Sequence, residues 1–282
     1  MSQFLSLDDF RLEGCVVGVR IDINSPLMQG KVTLNERIKA HAKTIKDLHE
    51  RGAKIVLLAH QGRKGKPDFI SLASHAELLS KHLGFTVRFV PELYSKEVKQ
   101  TISDLHNGEA VLLENLRFFD DEDQPKKSHN RLVMLNKLFD YYVFDAFSVA
   151  HRSQTSVIGM TKVPVLAGRV MEKEIRGLNE IEETPRPHLF LFGGAKPEDL
   201  LELMEQALAQ EWVDKILLTG IIGEAALRAK GYSLGAKDAF LEEHLEEGTL
   251  ERIKQLLKTY GEYCVLPLDV AYSDGKRRHE VR

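Results

Sequence analysis

The chain has little cysteine. Two residues in 282, Cys15 and Cys264, lie far apart with no metal-type spacing. That excludes a disulfide framework or a cysteine zinc site, and both are expected as buried free thiols in a reducing cytosol. No apolar run approaches the ~20 residues that span a bilayer, and Met1 to Leu12 is acidic with no charged-then-apolar pattern. Neither a membrane helix nor a signal peptide is expected, so the reading is soluble and cytoplasmic. An excess of positive charge is also missing. Lys and Arg number 39 against 42 Asp and Glu, the net charge is -3, and there is one tryptophan. A general nucleic-acid surface is therefore disfavoured, and any positive field has to be local. There is no internal repeat and no low-complexity tract.

What is present is enough apolar residue, 43%, to fill more than one core. Short apolar runs alternate with amphipathic segments that stop at glycine: Cys15 to Ile21, then a helix from about Asn35 to Arg51 ending at Gly52. Lys54 to Ala59 follows, then a helix from about Ser71 to His82 and the run Thr86 to Val90. The pattern continues with helix Ser95 to His106, strand Glu109 to Leu113, helix Ser128 to Leu138 and strand Tyr141 to Phe144. A charged helix, Met171 to Ile181, runs into Thr184-Pro185-Arg186-Pro187 as a link, and the alternation restarts at His188. The predicted fold is α/β: two doubly wound, Rossmann-like parallel-sheet domains, residues 1–166 and 188–282 joined by 167–187, with the second sheet unfinished and ending in a charged tail, Asp274 to Glu280.

In such sheets ligands sit at the carboxyl ends of the strands. Four runs end in polar loops: Asp22 and Asn24, then His60 and Arg63, then Glu114-Asn115-Leu116-Arg117, and last Asp145-Ala146-Phe147-Ser148-Val149-Ala150-His151-Arg152. Arg37 stands at the start of a helix. Forked guanidiniums suit phosphate or carboxylate, so Arg37, Arg63, Arg117 and Arg152 together predict a small anionic occupant, although any one alone reads as a solvated charge. His60 reads either as a structural histidine or as a ligand contact. Asp22 and Asn24 read equally as turn-formers before Pro26 and as partners of a substrate hydroxyl. Gly193-Gly194-Ala195-Lys196 opens a helix and presents a weak phosphate signal. It is not a Walker loop, and Gly220-Ile221-Ile222-Gly223 is weaker still.

Taken together, Val19-Arg20-Ile21-Asp22-Ile23-Asn24-Ser25-Pro26, His60-Gln61-Gly62-Arg63, Leu113-Glu114-Asn115-Leu116-Arg117-Phe118, the Asp145 to Arg152 stretch and Gly193-Gly194-Ala195-Lys196 resemble phosphoglycerate kinase, most closely its archaeal forms. The resemblance implies a two-domain hinge enzyme, a phosphotransferase with a carboxyl acceptor, moving a phosphoryl group between 1,3-bisphosphoglycerate and ADP with Mg2+. It implies that Asp22 and Asn24 meet the glycerate hydroxyl, that His60, Arg63, Arg117 and Arg152 hold its phosphate, and that Arg37 and Lys196 are catalytic. Gly193, Gly194 and Lys196 would meet ATP or ADP phosphates, Arg20 would be structural, and no protein metal ligand is assigned. The phosphoglycerate domain would be 1–166 and the nucleotide domain 188–282, in a monomer or simple homo-oligomer with no nucleic-acid or membrane partner. Three departures stand out: Leu200 replaces a frequent second lysine, Phe119 a frequent histidine, and the later ribose, adenine and magnesium-linked positions have no counterpart. The expectation is a C-terminally incomplete kinase. The alternative is a degenerate, non-catalytic phosphoglycerate-binding module.

Overall fold

The computed structural model describes residues 4–194, 196–273 and 275–281. The chain divides into two compact units, Met1–Leu178 and Asn179–Arg282.

The first unit runs β1 (Val16–Arg20), a small hairpin of β2 (Leu27–Met28) and β3 (Lys31–Val32), α1 (Glu36–Glu50), β4 (Lys54–Leu58), α2 (Ala73–Leu83), β5 (Val87–Val90), α3 (Lys96–Ser103) and β6 (Ala110–Leu113). It continues with α4 (Arg131–Met134), β7 (Tyr141–Phe144), α5 (Thr155–Ile158), β8 (Val165–Ala167) and α6 (Arg169–Glu183), the helix in which the division falls. Six of these strands form one sheet in the order β5-β6-β4-β1-β7-β8, every pair parallel. Both faces are covered, which explains the unbroken apolar runs. Val17, Val19, Ile55, Leu57 and Leu112 enter one core, while Val56, Leu58, Val111, Leu113 and Tyr142 enter the other. Successive side chains on a strand point to opposite faces, so one run feeds both. Gly18 is required by packing: a Cβ there would lie 2.4 Å from the Phe139 ring.

The chain leaves β1 toward β4 on one side, and leaves β7 toward β8 on the other. The crevice at the carboxyl ends of the adjacent β1 and β7 is thus the switch point where such sheets take ligands. Asn35 caps α1, its side-chain oxygen accepting from Arg37 and Ile38 N–H at 3.1 Å each. This fixes Arg37 in the first helical turn.

The second unit contains β9 (Leu189–Phe192), α7 (Pro197–Ala209), β10 (Lys215–Leu218), α8 (Gly220–Ala229), α9 (Ala236–His244), α10 (Thr249–Tyr260), β11 (Cys264–Val265), β12 (Val270–Ser273) and β13 (Arg278–Val281). Its parallel sheet has the order β11-β10-β9, and one face packs Phe192, Ile216, Leu218 and Cys264 against the helices. The alternate residues are bare: Leu189 is 60% and Leu191 71% exposed.

Several expectations need correction. The helix read over Ser128 to Leu138 is the short α4 followed by a 3-10 turn, Leu135–Leu138, because Asn130 caps it late. Strand β8 escaped the reading, since three residues after Pro164 show no period. The charged tail is an antiparallel hairpin, with Tyr272 opposite His279, and Asp274 lies outside the described residues. Cys15 is only half-buried, whereas Cys264 is buried; both are free, and burial pushes both thiols up. Among the described residues no helix is long and apolar enough to cross a membrane.

Candidate active site

One cavity of about 290 Å³ opens at the switch point in the first unit. Asp22, Asn24, Arg37, His60, Arg63, Arg117 and Arg152 all line it, together with Gly62, Lys66, Asp68, Ser148 and Val149. The residues expected at the glycerate site are thus brought together. His151, in the same loop as Arg152, is exposed and outside the lining.

The loops are tied to one another from beneath. Fully buried Gln61 accepts from Ser25 N–H at 2.8 Å and donates to Ser25 O at 2.9 Å, joining the β4 loop to the β1 loop. Asn115, also fully buried, donates to Gln61 O and Ile70 O at 2.8 Å each and accepts from Gln61 N–H at 3.1 Å, adding the β6 loop. Gly62 N–H donates to Asn24 Oδ1 at 2.9 Å, and Gly62 O accepts from Arg117. Only glycine fits there: φ is +66° and a Cβ would lie 2.2 Å from Asp68 O. Both polar residues sat in motifs read from the sequence, yet an amide beside a histidine or arginine gives no signal that it will be buried.

Asp22 is buried, and its carboxylate accepts from Ser148 Oγ and pairs with Arg37, with Asn24 N–H at 3.1 Å on its other oxygen. Burial pushes this carboxyl up, but the Ser148 hydroxyl and the Arg37 guanidinium outweigh it and hold the group below its ordinary value. His60 is 3% exposed, and Arg20, wholly buried behind it, donates to its Nδ1 at 2.7 Å. Arginine only donates, so Nδ1 holds the lone pair and Nε2 the proton. Burial, then the charges of Arg20 and Arg117, push His60 down to about 2. It lines the cavity as a neutral imidazole.

Arg20 in turn donates to Ser156 Oγ at 2.9 Å, and Ser156 donates to the buried carboxyl of Glu122 at 2.7 Å. The structural role expected for Arg20 is therefore to set the His60 proton. Arg117 is pushed below its ordinary value by burial and by Arg152, Arg20 and Arg63. Arg152 Nε is buried with no protein partner. Such crowding of like charge, with an unmet donor, is what a site for an anion carries.

In the second unit Gly193 and Gly194 follow β9, and Lys196 is the residue before α7 with no side-chain cap bond. Ala195 lies outside the described residues. Glycine is needed at 193 and 220 by close approach, since a Cβ at Gly193 would lie 2.6 Å from Thr219 Cγ2 and one at Gly220 3.0 Å from Gly194 N. Lys196 is exposed. Glu198 and Asp199 occupy the first turn of α7, which weakens the attraction of that helix end for phosphate. Leu200 packs on the second unit's core. Phe119 packs on a core of the first, with the Arg131 guanidinium 5.6 Å from its ring centre. Among the described residues no group of three or more His, Cys, Asp or Glu side chains is placed to hold a metal ion.

The family profile described as phosphoglycerate kinase matches residues 7–282. Phosphoglycerate kinase of Methanococcus maripaludis is 40% identical, the match covering 97% of this chain and 70% of the relative. Phosphoglycerate kinase 2 of Methanosarcina acetivorans is also 40% identical, covering 99% of this chain and 68% of the relative. The crystal structure of phosphoglycerate kinase from Pyrococcus horikoshii superposes with a TM-score of 0.88 at 33% identity, over 98% of this chain and 70% of that one. A cavity crowded with arginines at the switch point of this α/β fold, and similarity along almost the whole sequence, agree: the chain belongs to the phosphoglycerate kinase family.

Proposed function

We propose that this chain acts in reversible phosphoryl transfer between 1,3-bisphosphoglycerate and ADP, giving 3-phosphoglycerate and ATP, and that its first unit holds the phosphoglycerate. The carrying observation is the crowded cationic cavity, where Arg152 Nε lacks a partner and His60 is a neutral donor. Arg63, Arg117, Arg152 and His60 supply donors to the non-transferred phosphate. Asp22 and Asn24 take the hydroxyl of the glycerate.

Phosphoryl transfer needs placement and charge stabilisation more than a protein nucleophile. Arg37, 48% exposed in its side chain and paired with Asp22, has the reach to leave that pair and meet charge on the moving group. Lys196 and the glycine turn before α7 are the second unit's contribution toward nucleotide phosphates. Mg2+ carried on those phosphates would offset their charge.

Calorimetry with 3-phosphoglycerate tests the assignment. Charged hydrogen bonds contribute roughly 1.5–3 kcal/mol each, so Arg63→Ala and Arg117→Ala should each weaken binding about ten- to a hundredfold and flatten its salt dependence. Equal affinity in all three proteins would remove the site.

A further inference from the structure

Behind the crevice lies a buried polar chain that the phosphoglycerate reading does not use. Asp145, wholly buried just past β7, divides its two oxygens between the start of α6 and a histidine of α1. Oδ1 accepts from the main-chain N–H groups of Val170 at 2.8 Å and Met171 at 3.2 Å, in the first turn of α6. Oδ2 lies 2.8 Å from Nδ1 of His41, a 3% exposed residue of α1. The other nitrogen of His41, Nε2, lies 3.2 Å from the main-chain N–H of Asp22.

These contacts leave His41 one proton arrangement. A main-chain N–H can only donate, so Nε2 carries the lone pair. The proton then sits on Nδ1 and is given to Asp145. The local backbone is built around this carboxylate, because a Cβ at Gly168 would lie 2.2 Å from Asp145 Oδ1.

We propose that His41 is a positioning residue for phosphoglycerate binding: held as the Nδ1–H form by Asp145, it anchors the main chain of Asp22 and so aims the Asp22 carboxylate and the Asn24 turn at the substrate. The inference rests on the reading above, in which those two residues meet the glycerate hydroxyl. Asp22 has strong side-chain partners on the crevice side, Arg37 and Ser148, and a ligand that draws Arg37 away removes one of them. The bond to His41 is made by the main-chain N–H of Asp22 and not by its carboxylate, so it does not depend on that exchange. Asp145 therefore holds α6 and the substrate loop at once, without reaching the substrate.

Asp145→Asn separates this role from simple packing. The new amide keeps its size, and its oxygen can still accept from Val170 and Met171. Its nitrogen, however, must donate to His41 Nδ1, which moves the ring proton to Nε2 and sets two donors against each other at Asp22. Nitrogen-15 NMR of the histidine rings should show the Nδ1–H form in the wild type and the Nε2–H form in Asp145→Asn. The Asp22 amide resonance should shift with it, and calorimetry should show about tenfold weaker 3-phosphoglycerate binding.

A second pair of variants does not depend on the folding of the first. His41→Gln has an amide that can donate to Asp145 and accept from Asp22, and should stay within about threefold of wild type, whereas His41→Phe should lose about tenfold. In the His41→Phe background Asp145→Asn should add nothing. Unchanged affinity after the proton has moved, or equal losses in His41→Gln and His41→Phe, would overturn the proposal. Wild type that fails to bind 3-phosphoglycerate would overturn the substrate reading instead, and the Asp22 amide shift would still decide whether His41 sets that main chain.

Discussion

Acid should loosen the first unit through two histidines that stay neutral when folded. His60 is pushed down to about 2 and His75 to about 4, each chiefly by burial, against 6.5 for the free side chain. Between those values the unfolded chain binds protons that the folded one refuses, so stability rises with pH and is lost as pH falls below about 6.5. Going from about pH 7 to about pH 5, each should remove about 2 kcal/mol, because one pKa unit corresponds to about 1.4 kcal/mol. Glu122 acts oppositely: burial pushes its carboxyl up, so its folded form takes a proton more readily. The single substitutions therefore carry the test, rather than the total slope. His75→Gln can still donate to Gln61, as His75 Nε2 does at 3.1 Å, and His60→Gln can still accept from Arg20. Urea titrations read on amide resonances of β1 and β4, at the two pH values, should show each variant losing about 2 kcal/mol less than wild type on acidification. The tryptophan is unsuitable as a probe, because Trp212 lies in the second unit. Variants with the full wild-type acid loss would refute the neutral-histidine reasoning.

Two further outcomes are expected. Arg37→Lys should lower turnover more than it raises KM, since a forked guanidinium that meets moving charge is not copied by an ammonium; steady-state kinetics in both directions would read this, and unchanged turnover with weakened substrate binding would make Arg37 a ground-state contact. Gly62→Ala should weaken 3-phosphoglycerate binding at least tenfold by calorimetry while costing about 1–3 kcal/mol in urea, because φ of +66° and the approach to Asp68 O force the loop that positions Asn24 and Arg117 to shift.

Much of the first unit could be read from the residues because its strands are buried on both faces and so stand out as continuous apolar runs. Tyr141–Phe144 matches to the residue, and Glu36–Glu50 lies between the Asn35 cap and the turn at Gly52. Of the cavity-lining arginines, Arg63, Arg117 and Arg152 could be read because each lies in a loop after a strand, and Arg37 because it opens a helix. Hidden from the sequence were the residues that work from behind. Nothing in Arg20 shows that its strand faces it inward toward His60, and nothing in His41, on a helix, shows that its ring spans from Asp145 to Asp22. Such roles depend on contacts between residues far apart in the chain, 104 positions for His41 and Asp145. The hairpin of β12 and β13 was hidden for a different reason, as its charged strand carries no apolar alternation.

The place of β1 in the sheet has a consequence for how the chain acquires its shape. β1 is made before both of its neighbours, yet it lies in the middle of the sheet, pairing on one side with β4 and on the other with β7. Val16 N–H also donates to Asp140 across 124 positions. The half-sheet β5-β6-β4-β1 can assemble from segments that follow closely on one another, whereas β7 can dock only after that long loop is closed, a search whose entropy grows with loop length. During synthesis β1 thus waits with one edge open until the Tyr141 segment emerges, and the crevice with its arginines comes into being at that late step. A chain stalled before β7 would hold an ordered but cleft-free half-sheet with a bare central strand, the state most prone to pair with a neighbour.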